Sequence, residues 1–428
     1  MDRFVNPTAS LRGTVNVPAD KSISHRSALF AALAEGQSVI HNYSPAADPH
    51  STLNCLKQLG VDVKEENGTV TVNGKGRYGL ITPAKPLDCG NSGTTMRLLS
   101  GIIGGANLKA VLVGDESLSK RPMKRVIEPL RKMGCHIKAK DDNYAPLEFF
   151  PSEGVHAISY PLPVASAQLK SCVLLSGLFG EEDTTVIESV ASRNHTELLL
   201  NLPAKRVDGE IHIKSNNDIT IPLQNYTIPG DFSAAAFWAV AGSILKGSHI
   251  RIPNTGLNNT RTAALKILKR MGGQLQVNNL HDEGYEKAGD LEIFSSRLKA
   301  VDIDQDIVPN CIDEIPILAV AMLFAEGKST IKGAKELRFK ECDRLAAVAD
   351  MFTKAGADFE ELEDGLVIHG NPDFIPRGAI YETWKDHRIA MSAAILGLRS
   401  DKKSTVRDAD CTSISYPHFW TDLTKLMD

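Results

Sequence analysis

The 428-residue chain is short of several things, and each shortage excludes a class of protein. No global excess of basic charge is present: 48 Lys plus Arg stand against 52 Asp plus Glu, a formal net charge of -4, so nothing advertises nucleic acid or an anionic membrane. Any anion site must therefore be local. Long apolar runs are missing too, since the longest weakly polar stretches, 232–245 and 315–325, fall below the ~18 to 20 residues that a bilayer span needs. The seven cysteines are odd in number and scattered without C-x-x-C spacing, which points to reduced packing thiols rather than disulfides or zinc. The opening MDRFVNPTASLRG lacks a charged segment followed by an apolar one, so a cytoplasmic protein is expected. No P-loop string, H-E-x-x-H or EF-hand loop occurs, and no metal or cofactor is implied. Gly74, Gly76 and Gly79 do spell G-x-G-x-x-G, but Leu80-Ile81-Thr82-Pro83 follows instead of a helix, so the string reads as a hairpin turn.

What the chain has in plenty is repetition. Six segments share one grammar, a polar turn running into small and apolar residues at helical spacing: DKSISHRSALFAALAEG, NSGTTMRLLSGIIGG, SAQLKSCVLLSGLFG, DFSAAAFWAVAGSILKG, DEIPILAVAMLFAEG and DHRIAMSAAILGLRS. Marked at Lys21, Asn91, Ser166, Asp231, Asp313 and Asp386, they recur every 65 to 82 residues. Most copies continue with a charged amphipathic helix and an alternating strand pair, as in STLNCLKQLG before VDVKEENGTVTVNG. The unit reads strand, helix, strand, helix, hairpin. An orphan strand pattern, SLRGTVNVP, and a closing helix, HFWTDLTKLMD, suggest that the termini complete one unit together. The expected fold is α/β with two lobes of three βαβαββ units each, one spanning 20–229 and the other 1–19 plus 230–428, with the active site in the cleft between them.

Charge gathers where these helices begin. Lys21, Ser22 and Arg26 put cations and hydroxyls in the first turns of an otherwise apolar helix, where positive charge opposes the helix dipole and an anionic ligand relieves the conflict. Asn91-Ser92-Gly93-Thr94-Thr95 is a hydroxyl-rich start whose glycine allows close approach of a ligand. Lys120-Arg121-Pro122-Met123-Lys124-Arg125 sets four cations around a proline expected at helix position N1. Asp313-Glu314, Lys340-Glu341-Cys342-Asp343-Arg344 and Asp386-His387-Arg388 add acids beside cations. Each string alone also reads as a cap or a solvated charged turn; their recurrence at equivalent helix starts favours one cleft with many cations and at least two acids.

Together VPADKSISHR, DCGNSGTTMR, SKRPM, SAQLKS, ECDRL and DHRIAM closely resemble the EPSP synthase family over essentially the whole chain and in the family's order. The resemblance implies the enolpyruvyl transferase fold, an inside-out α/β barrel in two lobes, and transfer of the enolpyruvyl group of phosphoenolpyruvate to the 5-hydroxyl of shikimate 3-phosphate. It implies that Lys21, Ser22, Arg26, Ser166, Ala167, Gln168, Arg193, Asp313 and Lys340 meet the shikimate substrate. Lys21, Asn91, Gly93, Thr94, Arg121, Gln168, Arg344 and Arg388 are implied around phosphoenolpyruvate. Asp313 is expected as base and Glu341 as acid, with Lys21 sharing proton transfer. The two substrates bring about six negative charges, which the cations answer. A monomer with small-molecule partners and no cofactor, metal, nucleic acid or membrane is expected.

Departures from the family pattern are local. Ala19 replaces a common glycine, Ala167 stands where one branch has a second serine, and Ser413-Ile414-Ser415-Tyr416-Pro417 lacks a lysine which that branch uses near phosphoenolpyruvate. These features resemble the class II branch, and Gly93 keeps the small residue associated with room for glyphosate. The nearest rival, UDP-N-acetylglucosamine enolpyruvyl transferase, carries Lys-Asn at the first site and a loop cysteine; this chain has Lys21-Ser22 and no cysteine between Asp115 and Met133. A non-catalytic scaffold binding phosphorylated ligands is the other alternative, and it has no need of Asp313 and Glu341.

Overall fold

A computed structural model describes residues 1–427. The chain divides into two compact units, one made of residues 19–228 and 283–286, the other of 1–18, 229–282 and 287 onward. Each has its own hydrophobic core. The second is called the terminal unit below, because both chain ends lie in it.

One repeat shows how every copy is built. In the 19–228 unit, strand Leu87–Asp88 leads into helix Gly93–Gly105, strand Ala110–Val113, helix Lys124–Lys132 and the hairpin His136–Lys140 with Tyr144–Phe150. Leu87 pairs in parallel with Leu112, and Leu112 faces Leu147 across an antiparallel pair, so the four strands form one sheet. Two further sheets of the same order fill this unit. The first of them takes its leading strand from the far end of the segment, where Tyr226–Thr227 pairs in parallel with Ile40 and His41. The corresponding strand in the terminal unit is Arg12–Thr14, paired in parallel with His249–Arg251.

The termini finish the sixth copy. Arg3–Val5, a strand that the sequence patterning does not single out, pairs antiparallel with Ser404–Val406, in the place a hairpin strand holds elsewhere. The closing helix Phe419–Met427 packs on Arg12–Thr14, where a Cβ on Gly13 would sit 3.6 Å from Leu426.

All six small-residue segments are helices, and their composition explains their depth. Phe232–Ile244 is buried at every position, and Lys21–Leu33 is buried from Ile23 onward. Ala, Ser and Gly let neighbours approach closely: a Cβ on Gly101 would stand 2.2 Å from the carbonyl oxygen of Cys172, so helices Gly93–Gly105 and Ala167–Gly177 meet backbone to backbone. The second helices are one-sided instead. In Lys124–Lys132 the buried residues are Val126, Ile127, Pro129 and Leu130, while Glu128 between them and Lys124, Arg131 and Lys132 at the two ends are exposed.

Three local expectations change. Pro122 is not at N1, because the helix starts at Lys124 behind Met123 and its proline is Pro129, inside. The helix after Asp313 is preceded by Glu314, whose side chain makes no cap bond, whereas Asp20, Ser92, Ser166, Asp231 and Asp386 all cap theirs. Gly74 lies within strand Thr69–Lys75 and not in a hairpin turn; its missing side chain makes room for the carbonyls of Ala31 and Ala34, while the turn itself is at Asn67-Gly68.

Candidate functional site

Two residue clusters form, one inside each unit. In the 19–228 unit the starts of three helices meet, because the packed apolar helices bring their N-terminal turns together. Asp20 caps helix Lys21–Leu33 through the backbone N–H of Ile23 (2.9 Å), which fixes Lys21 at the first turn; its Nζ donates to Asp48 (2.9 Å). One turn later Arg26 is buried and spreads over a second helix pair. Its Nε donates to Thr196 Oγ1 (2.8 Å), its Nη2 to Ser171 Oγ (3.0 Å) and its Nη1 to the carbonyl of Ser22 (3.1 Å). Burial lowers its proton affinity to about 10, opposed by nearby Glu197 and reinforced by Arg193.

The phosphoenolpyruvate candidates of this unit are equally connected. Gln168, in the first turn of helix Ala167–Gly177, donates to Thr94 Oγ1 (2.9 Å) and accepts from Arg97 Nη1 (2.6 Å). Arg121 donates to Asn91 Oδ1 (2.7 Å) and to Ser117 (3.2 Å). A Cβ on Gly93 would point at two guanidiniums, 2.9 Å from Arg97 Nη1 and 3.6 Å from Arg121 Nη1. Ser166 caps its helix through Leu169 (3.4 Å), Ala167 contributes backbone only, and Arg193 stands two residues ahead of helix His195–Leu200. Apart from Arg193, the expected set of this unit thus gathers around three helix N-termini, where backbone N–H groups and cations offer an anion site.

In the terminal unit Arg344 is the centre. It opens helix Arg344–Ala355, is 1% exposed, and uses each guanidinium nitrogen on a carboxylate: Nε on Asp386 Oδ2 (2.8 Å), Nη1 on Asp313 Oδ1 (3.2 Å) and Nη2 on Glu341 Oε2 (2.6 Å). Burial works against its charge, but Asp386, Glu341 and Asp313 outweigh it and hold the group above the ordinary arginine value. Arg388 donates from Nη1 to the Asp313 carbonyl (3.0 Å) and lies 3.7 Å from Asp313 Oδ2; Lys340 Nζ lies 4.0 Å from Asp313 Oδ1. Asp313 is therefore a carboxylate ringed by three cations, and Glu341 shares one of them.

Sequence reasoning passed over four participants. Arg97 sits inside the string DCGNSGTTMR, four residues after Gly93, a spacing that puts both on one helix face, and that is the signal. Asp386 reads as a cap, which it is, with Arg388 N–H at 2.8 Å, yet it also pairs with Arg344. Asp48 and Lys170 carry no local signal, because their partners are distant in sequence.

The protein-family model described as EPSP synthase (3-phosphoshikimate 1-carboxyvinyltransferase) matches residues 5–423. The 3-phosphoshikimate 1-carboxyvinyltransferase of Salinibacter ruber is 46% identical over 430 residues, covering 100% of this chain and 99% of its own. That of Solibacter usitatus is 42% identical over 431 residues, covering 100% of both. Among solved structures, an EPSP synthase from Acinetobacter baumannii superposes with a TM-score of 0.87 at 37% identity, covering 100% of this chain and 98% of that one. The enolpyruvyl transferase NikO from Streptomyces tendae shares the fold at 16% identity, with a TM-score of 0.77 over 99% of this chain and 96% of its own.

Proposed function

The chain belongs to the EPSP synthase family, and from that premise we propose how its residues divide the work of the reaction. The activity is that of a 3-phosphoshikimate 1-carboxyvinyltransferase of the shikimate pathway: phosphoenolpyruvate gives its enolpyruvyl group to the 5-hydroxyl of shikimate 3-phosphate, and phosphate leaves.

Asp313 is the base that takes the hydroxyl proton as the oxygen attacks C2 of phosphoenolpyruvate. Glu341 is the acid that protonates the C3 methylene, giving a tetrahedral phospho-adduct. In the second half the C2–O bond to phosphate breaks while Glu341 takes a proton back from the methyl group, restoring the double bond, and the hydroxyl proton that Asp313 took ends on the departing phosphate, which leaves as hydrogen phosphate. Lys21, held at a helix start by Asp48, shares proton transfer beside the phosphate. Help of this kind is worth roughly 10² to 10⁴ in rate, and positioning two mutually repelling anions contributes more.

The observation that carries this reading is that one guanidinium, Arg344, holds both carboxylates. Arg344 is also among the cations expected around phosphoenolpyruvate, so the donor arrives beside both carboxylates. We also place the protein in the cytoplasm, since all seven cysteines are unbonded and five are buried, and take it to act as a monomer, since one chain carries both residue clusters.

Phosphate release from phosphoenolpyruvate tests the reading. Release that depends on shikimate 3-phosphate supports it. Release that depends on UDP-N-acetylglucosamine, or binding without release, overturns it.

A further inference from the structure

Behind the anion-binding surface of the 19–228 unit lies a buried charge cluster that the reaction does not use directly. Lys170 is fully buried in helix Ala167–Gly177, and its Nζ lies 2.9 Å from Glu188 Oε2 and 2.6 Å from Glu197 Oε1. Glu188 ends strand Thr184–Glu188, and Glu197 lies in helix His195–Leu200. One ammonium therefore ties together three elements, and the segment 189–194, which carries Arg193, is strung between two of its partners.

That segment is pinned at Ser192, the residue before Arg193. The Ser192 N–H donates to Glu188 Oε1 (3.3 Å), its hydroxyl donates to the same oxygen, and its carbonyl accepts from Lys170 Nζ (3.5 Å). On the other side Thr196, which directly precedes Glu197 in the same helix turn, accepts from Arg26 and bonds Oγ of Ser171 (2.7 Å), the residue after Lys170. A single ammonium facing two buried carboxylates leaves one negative charge over, and Arg26 is close enough for Glu197 to raise its proton affinity. Three buried polar residues spent on one six-residue segment cost desolvation that an apolar core would avoid, so the arrangement calls for a use beyond stability.

We infer that Lys170 is a positioning residue for the shikimate 3-phosphate subsite: through Glu188, Ser192 and Glu197 it sets the reach of Arg193 and Arg26. The inference rests on the substrate assignment proposed above. A phosphate dianion is recognised by fixed, bidentate arginines, and an arginine on an unanchored segment loses entropy on every binding event that an anchored one has already lost. Of the phosphoenolpyruvate candidates, Arg121 is held by Asn91 and Ser117, and Arg388 by Asp313, none of which belongs to this cluster.

The test compares parent, Lys170→Met and Ser192→Ala enzymes in steady-state kinetics with each substrate varied in turn, alongside melting temperatures. Lys170→Met is expected to raise KM for shikimate 3-phosphate by about tenfold or more and Ser192→Ala by about threefold to tenfold, with KM for phosphoenolpyruvate within about twofold of the parent in both. Lower melting temperature with both KM values unchanged, or equal rises in both, overturns the inference and leaves Lys170 a purely structural residue. If Lys170→Met is recovered unfolded, Ser192→Ala, which removes a single hydroxyl, decides alone. A parent enzyme inactive with shikimate 3-phosphate would instead sink the substrate assignment, an outcome the parent arm reads separately.

Discussion

Arg344 Nη2 lies 2.6 Å from Glu341 Oε2 while Nη1 of the same side chain lies 3.2 Å from Asp313 Oδ1, so the proposed acid and base hang on one buried cation. Glu341→Gln keeps an oxygen for Arg344 but has no proton to give C3. Turnover is expected to fall by about 10² to 10⁴, with KM for phosphoenolpyruvate changed only a few fold. Exchange of the methylene hydrogens with deuterium from D2O should fall in parallel. Turnover within a few fold of the parent would remove Glu341 from the proton path.

Asp313→Asn separates charge from shape. The amide fits where the carboxylate stood, but Arg344, Arg388 and Lys340 lose a shared negative partner and the substrate hydroxyl loses its proposed base. The expected outcome is a drop in kcat of about 10² or more against a small or even favourable change in KM, since unpaired cations welcome anionic substrates. A loss confined to KM argues instead for a role in holding the substrate.

The repeat was legible because period and composition act locally: six runs of small apolar residues, six polar starts and the turn residues between strands each announce themselves within about fifteen residues. The Asn67-Gly68 turn, with φ of 51° and 75°, is such a case. The cations at helix starts were legible for the same reason, since charge at the wrong end of a dipole is a local anomaly. What stayed hidden depends on distance in sequence. Nothing near Asp48 announces Lys21, nothing near Lys170 announces Glu188 or Ser192, and no string foretells that Asp386 both caps its helix and neutralises Arg344, 42 residues away in sequence. The three-residue strand at Arg3–Val5 is too short for a pattern and exists only because Ser404–Val406 offers it an edge.

His25 makes stability depend on pH. It is buried between Lys21 and Arg26, with Nδ1 2.7 Å from Thr52 Oγ1, Thr95 beside it, and Nε2 without a partner among the described residues. Burial first, then the two cations, push its proton affinity well below the ordinary 6.5. The unfolded chain therefore takes up a proton below about pH 6.5 that the folded one refuses, and stability is full above that pH and declines as pH falls. His25→Asn should flatten this decline. Melting temperatures at pH 7.5 and 5.5 for both proteins check it; equal pH slopes would show that His25 is not the group responsible.

Gly93 tests how the donor subsite tells substrate from inhibitor. Glyphosate is expected in the phosphoenolpyruvate site, on the same arginines. A methyl on Gly93 meets Arg97 Nη1 at 2.9 Å and Arg121 Nη1 at 3.6 Å, contacts with the movable ends of long side chains. Arg97 is not free to swing, because Gln168 Oε1 and the Pro122 carbonyl hold it at 2.6 and 3.3 Å, so the methyl shifts the arginines and Gln168 together. Gly93 opens its helix without a left-handed φ, so alanine adds no backbone strain there. A displaced charge-assisted hydrogen bond costs ~1.5 to 3 kcal/mol, a factor of roughly 10 to 150. The inhibitor, one atom longer between phosphorus and carboxyl carbon than phosphoenolpyruvate, should bear more of that loss, so the inhibition constant should rise by more than KM does. Side-by-side constants for parent and Gly93→Ala decide the matter: equal rises, or a parent that glyphosate does not inhibit, would show that Gly93 does not set the room available beside the arginines.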